Sequence, residues 1–186
     1  MRRHLRKAAH TTWVWIRTAP GTYLWLAALL VTGASWTDGG GPLPYAVLYT
    51  VFHAPAEHWL GTRRWLATAA AALVGATLSS EGALSWAVHQ GHAHEAAGDS
   101  LAIGVSYALA GVVAVLTYRI APPWRLPYGG AVVILYGVPL IAGPDFTDIG
   151  HFTAVLIGLA CYPLTRGRTR TPDLDTSAKR GVRTPS

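Results

Sequence analysis

The fold is decided by an uncharged stretch of nineteen residues, Ser100 to Tyr118, whose sequence is SLAIGVSYALAGVVAVLTY. A helix of this length is roughly 28 Å long at 1.5 Å per residue, which is close to the hydrocarbon thickness of a bilayer. Its apolar residues follow one another without the alternation of a barrel strand. We therefore interpret the stretch as a transmembrane helix.

The rest of the chain carries five further long, largely apolar stretches. The 186 residues are 51% hydrophobic and only 13% charged, which is too apolar for an ordinary soluble domain of this size. Only helices and closed barrels can pair every backbone group in lipid. The sequence predicts an all-α integral membrane protein, a six-transmembrane-helix bundle with spans at Pro20–Trp36, Leu43–Leu60, Trp65–Val88, Ser100–Tyr118, Trp124–Ala142 and Phe146–Leu164.

The basic residues test this count independently, because short cytoplasmic loops collect Lys and Arg. With a cytoplasmic N-terminus, all 15 fall on one side of the membrane. They lie in the leading arm, in the tail from Arg166 onward, and in the second and fourth loops (Arg63, Arg64, Arg119 and Arg125). This partition predicts a multi-pass protein of the cell membrane with both termini in the cytoplasm. Charges at helix ends form no continuous patch, so the net charge of +6 does not indicate nucleic-acid binding.

Two segments flank the predicted membrane domain, residues 20–164. Residues 1–19 combine basic residues with Trp13, Trp15 and Ile16, which is typical of a cytoplasmic arm at the membrane interface. A cleaved signal peptide is the alternative, although the charged region is long and no small-residue cleavage site follows the apolar run. Residues 165–186 have few apolar residues to bury, so they predict a disordered cytoplasmic tail.

Two reactive residues within the spans form a candidate pair. Ser106 lies about six residues into the fourth span, roughly 9 Å deep, and His151 enters the sixth span from the same side, at roughly 5 to 8 Å. Serine becomes a good nucleophile when a base takes its proton, and histidine exchanges protons near neutral pH. A structural reading of Ser106 stays open, because a membrane serine commonly bonds back to a carbonyl of its own helix.

Small residues predict how these two spans meet. They recur at four-residue spacing, which lets membrane helices approach closely. The fourth span carries Gly104, Ala108 and Gly111, and the sixth carries Gly150, Ala154 and Gly158. We expect the two helices to pack together and to bring Ser106 and His151 within reach of each other.

The other polar residues of the spans are interpreted structurally. Glu57 lies near the inner end of the second span, where we expect a helix-end ion pair with Arg63 and Arg64. Glu81 lies near the outer end of the third span, from where it can reach the interface. Cys161 is the one cysteine and cannot form an intrachain disulfide, so we interpret it as a packing residue.

Histidines of an outer loop raise a separate alternative, transport or metal sensing. His89, His92, His94 and Glu95 are spaced as zinc ligands can be. The stretch is rich in Gly and Ala, however, and no second group of ligands accompanies it. We therefore expect neither a metal nor a cofactor.

At Ser106 and His151 the chain resembles the rhomboid family, whose members carry a Gly-x-Ser-Gly motif on helix four and a catalytic histidine on helix six. Gly104-Val105-Ser106 matches the first three positions of that motif, and Gly111 and Gly158 match glycines that follow the two catalytic residues. The stretch 57–61, Glu-His-Trp-Leu-Gly, resembles the Glu-x-x-Leu-Gly signature that ends helix two. The resemblance implies a six-helix rhomboid-like bundle.

The sequence departs from the family pattern at two places near the predicted site. Tyr107 stands where the family has a glycine after the nucleophile. A register counted back from Glu57 places Gly41 and Tyr45 at the positions of the His-x-x-x-Asn motif, which commonly supplies oxyanion donors. His53 is another candidate donor, but we expect it to lie deeper in the membrane than Ser106.

The resemblance implies an intramembrane serine protease that cleaves transmembrane or juxtamembrane substrates. Ser106 would attack the scissile carbonyl, and His151 would act first as general base and then as general acid. The alternative is a catalytically inactive protein of the same fold that binds transmembrane helices. In either case the predicted partners are membrane-protein substrates or transmembrane helices, together with the lipid bilayer.

Overall fold

The computed structural model describes residues 18–32, 42–91, 100–143 and 145–168, and these residues form helices and no strand, as predicted. A π-helical turn at Tyr49–His53 interrupts the second helix, and a 3₁₀ turn at Leu116–Tyr118 ends the fourth. The elements in chain order are α1 (Pro20–Thr32), α2 (Pro42–Leu48, the π turn and Ala54–Leu60), α3 (Thr62–His89), α4 (Ser100–Val115), α5 (Arg125–Ala142), α6 (Phe146–Ala160) and α7 (Tyr162–Thr165).

The helix bounds follow the predicted spans closely for four of the six. Helix α4 and its 3₁₀ turn cover the predicted fourth span, and α2, α3 and α5 begin and end within three residues of theirs. The end of the first predicted span, 33–36, lies outside the described residues. Helix α3 has 28 residues and is therefore roughly 42 Å long, more than a hydrocarbon core requires.

The sixth span was predicted to continue to Leu164, and this is wrong. Helix α6 ends at Ala160, and a separate short helix follows. Pro163 explains the break, because proline has no N–H to donate and its ring clashes with the carbonyl four residues earlier. That carbonyl, of Leu159, accepts a hydrogen bond from the hydroxyl of Tyr118 at 2.7 Å instead.

The centre of the bundle is formed by α3, α4 and α6, whose facing sides carry small residues. A Cβ on Gly111 would overlap the Cβ of Ala72 in α3 and would lie 3.3 Å from the carbonyl oxygen of Ala154 in α6. A Cβ on Gly158 would overlap the carbonyl oxygen of Gly111. The prediction that small residues bring the fourth and sixth helices together is confirmed.

Helix α5 lies at the edge of the bundle with most of its apolar side chains uncovered. Leu126 and Ile141 are both more than 80% exposed, whereas Val132 is buried. Among the described helices, α5 alone is long and apolar enough to cross a membrane by length and composition, with a mean hydropathy of 1.4. Three shorter apolar helices lie at Pro20–Val31, Gly104–Tyr118 and Phe146–Ala160. Soluble proteins also contain single helices of this kind, so the membrane assignment depends on the family described below.

Glu57 joins the start of α1 to the junction of α2 and α3. Its carboxylate accepts hydrogen bonds from the backbone N–H groups of Gly21 at 2.9 Å and of Thr22 at 2.6 Å. The hydroxyls of Thr22 and Thr62 donate to it at 2.7 and 2.8 Å. The first N–H groups of a helix have no partner inside the helix, so a buried carboxylate there satisfies them and complements the helix dipole.

The predicted ion pair of Glu57 with Arg63 and Arg64 is therefore wrong. The guanidinium of Arg64 instead donates from Nη1 to the carbonyl oxygens of Leu164 and Arg166, at 2.9 and 3.1 Å. These carbonyls belong to the end of α7, where backbone acceptors lack partners within the helix.

The end of α2 is also capped by an arginine, in this case one that follows α7. Arg168 donates from Nη2 to the carbonyl oxygen of Leu60 at 2.6 Å. The predicted disordered tail started at residue 165, but Thr165 is buried and Arg168 contacts the bundle. Residues 165–168 therefore belong to the folded part.

All arginines that the structure describes lie at one end of the bundle, which we call the basic end. It contains the starts of α1, α3 and α5 and the ends of α2, α4 and α6, so successive helices run in opposite directions. The guanidinium of Arg125, at the start of α5, lies 4.9 Å from the ring centre of Tyr118, at the end of α4. A guanidinium over an aromatic face is an attractive contact.

Replacing Glu57 by Gln should destabilise the protein, because the amide would place an N–H donor against backbone N–H groups that need an acceptor. We expect a loss of about 1.5 to 3 kcal/mol in the free energy of unfolding, the usual size of a hydrogen bond to a charged group. Thermal unfolding in detergent micelles measures this, with Glu81→Gln as the control at an exposed position. Equal unfolding temperatures for the two variants would contradict the role of Glu57.

Candidate active site

Ser106 and His151 lie side by side in the structure. The Oγ atom of Ser106 is 2.8 Å from Nε2 of His151, which is within hydrogen-bond distance. Ser106 lies six residues after the start of α4, and His151 lies five residues after the start of α6. Both side chains are partly exposed. The two reactive residues singled out in the sequence are thus adjacent.

The packing of α4 against α6 accounts for this meeting. The two helices run in the same direction, and their backbones touch where Gly158 faces the carbonyl of Gly111. Ser106 precedes Gly111 by five residues and His151 precedes Gly158 by seven. Side chains at these positions lie on the same side of the contact, toward the end of the bundle opposite the basic end.

The start of α6 is held by a capping box one turn before His151. Asp145 is the N-cap residue, and its Oδ1 accepts from the backbone N–H of Phe146 at 2.7 Å. The backbone N–H of Asp145 in turn donates to Oδ2 of Asp148 at 3.1 Å. Ser80 of α3 donates to the carbonyl of Phe146 at 2.9 Å, which ties this end of α6 to α3. His151 is therefore carried on a helix turn with little freedom to fray.

The surroundings of the His151 ring favour one tautomer. The backbone of Thr147, one turn earlier in α6, lies near the ring. Nε2 faces the hydroxyl of Ser106, so the tautomer with its proton on Nδ1 lets Nε2 accept from that hydroxyl. The carboxylate of Asp148 adds a negative charge near the ring. This arrangement is the one a general base needs.

Two tyrosines contact the ring of His151 from different helices. Tyr107 of α4 meets it edge-to-face, with centroids 4.9 Å apart and planes at 79°. Tyr136 of α5 lies 5.8 Å away with its plane tilted by 31°. The sequence carried a signal for Tyr107, which departs from the family motif, but none for Tyr136, one of several tyrosines in the spans.

Helix α2 approaches Ser106 through its π turn. The hydroxyl of Tyr49 faces the carbonyl oxygen of Val105, the residue before Ser106, at 3.4 Å. The ring of His53 stacks on Tyr49 with centroids 4.1 Å apart, and its Nδ1 accepts from Nε1 of Trp65 at 3.2 Å. His53 Nε2 is buried and makes no hydrogen bond to a described residue. Nδ1 of the predicted alternative donor is therefore engaged with α3, and its Nε2 makes no hydrogen bond to Ser106.

Comparison with known proteins identifies the family. A family model described as rhomboid-like protein matches residues 29–171, which is most of the chain. The chain belongs to the rhomboid-like protein family. Curated proteins and solved structures give no match. The family includes intramembrane serine proteases, and membership implies a membrane protein.

The structure does not describe the side chains that this rhomboid-like protein has at the positions of the His-x-x-x-Asn motif. Gly41 and the side chain of Tyr45 fall outside the described residues. The register that placed them there assumed a continuous α-helix. The π turn at Tyr49–His53 breaks that register, because its i→i+5 hydrogen bonds space residues differently from those of an α-helix.

The predicted metal alternative gains no support from the described part of the rhomboid-like protein. No group of three or more His, Cys, Asp or Glu side chains there could hold a metal ion. His89 contacts the carbonyl oxygen of Ser85 at 2.7 Å, a bond within its own helix. His92, His94 and Glu95 lie outside the described residues.

Replacing Asp145 by Ala should loosen the start of α6, because it removes the acceptor for the backbone N–H of Phe146. We expect a loss of about 1 kcal/mol, the usual cost of losing an N-cap side chain. Asp145→Asn keeps an acceptor oxygen and should cost less. Amide hydrogen exchange of residues 146–151 provides the measurement, and equal exchange in the Ala and Asn variants would exclude the capping role.

Proposed function

We propose that this rhomboid-like protein is an intramembrane serine protease that cleaves transmembrane or juxtamembrane segments of membrane proteins. The observation that carries the proposal is the 2.8 Å separation of Ser106 Oγ and His151 Nε2. Proton transfer requires a distance of this order between nucleophile and base. The supporting contacts are those that orient the His151 ring, from Thr147, Tyr107 and Tyr136.

The proposed reaction passes through an ester on Ser106. As Oγ bonds to the scissile carbonyl carbon, Nε2 of His151 takes the hydroxyl proton and a tetrahedral oxyanion forms. His151 then gives this proton to the leaving amine as the C–N bond breaks. Water attacks the ester while His151 takes one of its protons, and that proton returns to Oγ when the C–O bond to Ser106 breaks.

The position of the pair suits a reaction that consumes water. Both residues lie in the first two turns of helices that start at the end of the bundle opposite the basic end. Ser106 is roughly 9 Å from the start of α4 along the helix axis. Both side chains keep some exposure, which a substrate and a water molecule need in order to reach them.

One observation favours the second candidate, a non-catalytic protein of the same fold that binds transmembrane helices. Ser106 lies inside α4, beyond the four N–H groups that a helix leaves unpaired at its start. Its own backbone N–H is therefore committed to the helix and does not serve an oxyanion. Losing one oxyanion donor typically costs about 10² to 10³ in rate, so the test of activity must detect slow turnover.

Serine-directed labelling separates the two candidates. A fluorophosphonate probe should label the purified protein, and both Ser106→Ala and His151→Ala should abolish labelling, the second because the hydroxyl loses its base. Ser79→Ala is the matched control, since Ser79 donates to the carbonyl of Gly75 in its own helix and lies apart from the pair. Labelling that persists in Ser106→Ala would refute the assignment of the nucleophile, and no labelling of the wild type over long incubation would favour the helix-binding alternative.

We further propose that the protein resides in the cell membrane with both termini in the cytoplasm. This rests on the positive-inside tendency and on the gathering of the described arginines at the basic end. The partners proposed with it are transmembrane helices of other proteins and the lipid bilayer. Cleavage would then occur on the extracytoplasmic side.

Reporter fusions test this orientation. A reporter that is active only in the cytoplasm should be active when fused after Arg168 and inactive when inserted at Gly143, between α5 and α6. The reason is that these two points lie at opposite ends of the bundle. The reverse pattern would overturn the proposed orientation and would place Ser106 and His151 in the inner leaflet.

A further inference from the structure

Tyr107 and Gly150 form a contact directly beside the candidate pair. A Cβ on Gly150 would overlap Cζ and Oη of Tyr107 and would lie 2.7 Å from its Cε1. The phenol ring therefore occupies the space that any other residue at position 150 would need. Tyr107 is 1% exposed, so the ring is enclosed by the bundle.

The contact connects the backbones of the two reactive residues. Tyr107 follows Ser106 in α4, and Gly150 precedes His151 in α6. A large side chain on one helix is thus matched by the absence of one on the other. Because both partners are immediate chain neighbours of the pair, the end of the phenol ring against Gly150 limits how closely the two helices approach at this level.

The same ring restricts His151. Its edge-to-face contact with the imidazole, at 4.9 Å and 79°, blocks rotation of the ring toward α4. Tyr136 bounds the imidazole from α5. The hydroxyl of Tyr107 is buried, lies near Ser80 and Thr147, and makes no hydrogen bond to a described residue by distance and angle. The ring and not the hydroxyl is therefore the part that acts on His151.

We propose that Tyr107 is a positioning residue whose ring, seated on Gly150, sets the separation of α4 and α6 at the pair and aims Nε2 of His151 at Ser106. The proposal rests on the proposed function insofar as it concerns catalysis. It explains how the chain accommodates a tyrosine where the family motif has glycine: the space is provided by the glycine before the base.

A double-mutant cycle of Tyr107 and Gly150 tests this proposal, with the rate of fluorophosphonate labelling per folded molecule as the readout. Gly150→Ala and Tyr107→Ala should each slow labelling about tenfold or more, since misplacing a reacting group by 1 Å can cost on the order of 10² in rate. In the double variant no ring remains for the new methyl group to displace, so Gly150→Ala should add no further loss and the double variant should label at the rate of Tyr107→Ala. Tyr107→Phe keeps the ring and should label at nearly the wild-type rate.

Two controls separate positioning from general loss of packing. Gly130→Ala places a methyl group where nothing lies within 4 Å and should change nothing. Gly158→Ala disturbs the α4–α6 contact two turns away from His151, so it should lower the unfolding temperature more than the labelling rate. If Gly150→Ala does not fold, Tyr107→Leu removes the ring edge with less loss of bulk and should show the slower labelling by itself.

A readout without turnover distinguishes failure of this proposal from failure of the proposed function. The ring ¹⁵N chemical shifts of His151, assigned with His151→Ala, report the hydrogen bond at Nε2. They should change in Gly150→Ala and in Tyr107→Ala, and the double variant should match Tyr107→Ala, even if the wild type is never labelled. Unchanged ring shifts in both single variants, or a double variant as slow as the product of the single ones, would overturn the positioning role.

Discussion

The backbone contact between α4 and α6 is the constraint on which the rest of the structure depends. Membrane helices gain little from burying apolar surface against each other, because lipid is equally apolar, so close van der Waals packing has to hold them together. At Gly111 and Gly158 the main chains touch without an intervening side chain. Helix α3 completes this centre through Ala72. The position of every group around Ser106 follows from how these helices lie.

Polar contacts at the basic end close the bundle around this centre. Three helix termini there have an acceptor or donor from another part of the chain: the carboxylate of Glu57 at the start of α1, Arg168 at the end of α2, and Arg64 at the end of α7. Backbone groups at helix ends are costly to leave unpaired away from water. Few side chains thus satisfy many backbone groups.

The parts of the fold that the sequence predicted are those with a local cause. The bounds of α4 follow from one uninterrupted apolar run, and the meeting of Ser106 with His151 follows from small residues at helical spacing on two spans of the same direction. The break at Ala160 also has a local cause, Pro163. The span was predicted from hydropathy, which does not reflect the helix hydrogen bond that a proline cannot donate. The helix-end position of Glu57 was predicted correctly and its partners were not.

The remaining features depend on contacts between distant parts of the chain. Proximity in sequence suggested Arg63 for Glu57, whereas the partner Gly21 lies 36 residues away. Tyr136 reaches His151 only because α5 packs beside α6. The periodicity of the sequence does not indicate which tyrosine in a span makes such a contact. The π turn at Tyr49–His53 changes which residues of α2 face α4, and the sequence before it reads as an ordinary helix.

The contact of Arg168 with Leu60 has a consequence for how the protein is made. Its two partners are separated by 108 positions, so the carbonyl of Leu60 leaves the ribosome long before the guanidinium that caps it. Arg64 is likewise synthesised long before Leu164 and Arg166, whose carbonyl oxygens accept its hydrogen bonds. The early helices therefore enter the bilayer with these groups uncapped, and assembly of the basic end is completed only after the last helix has been synthesised.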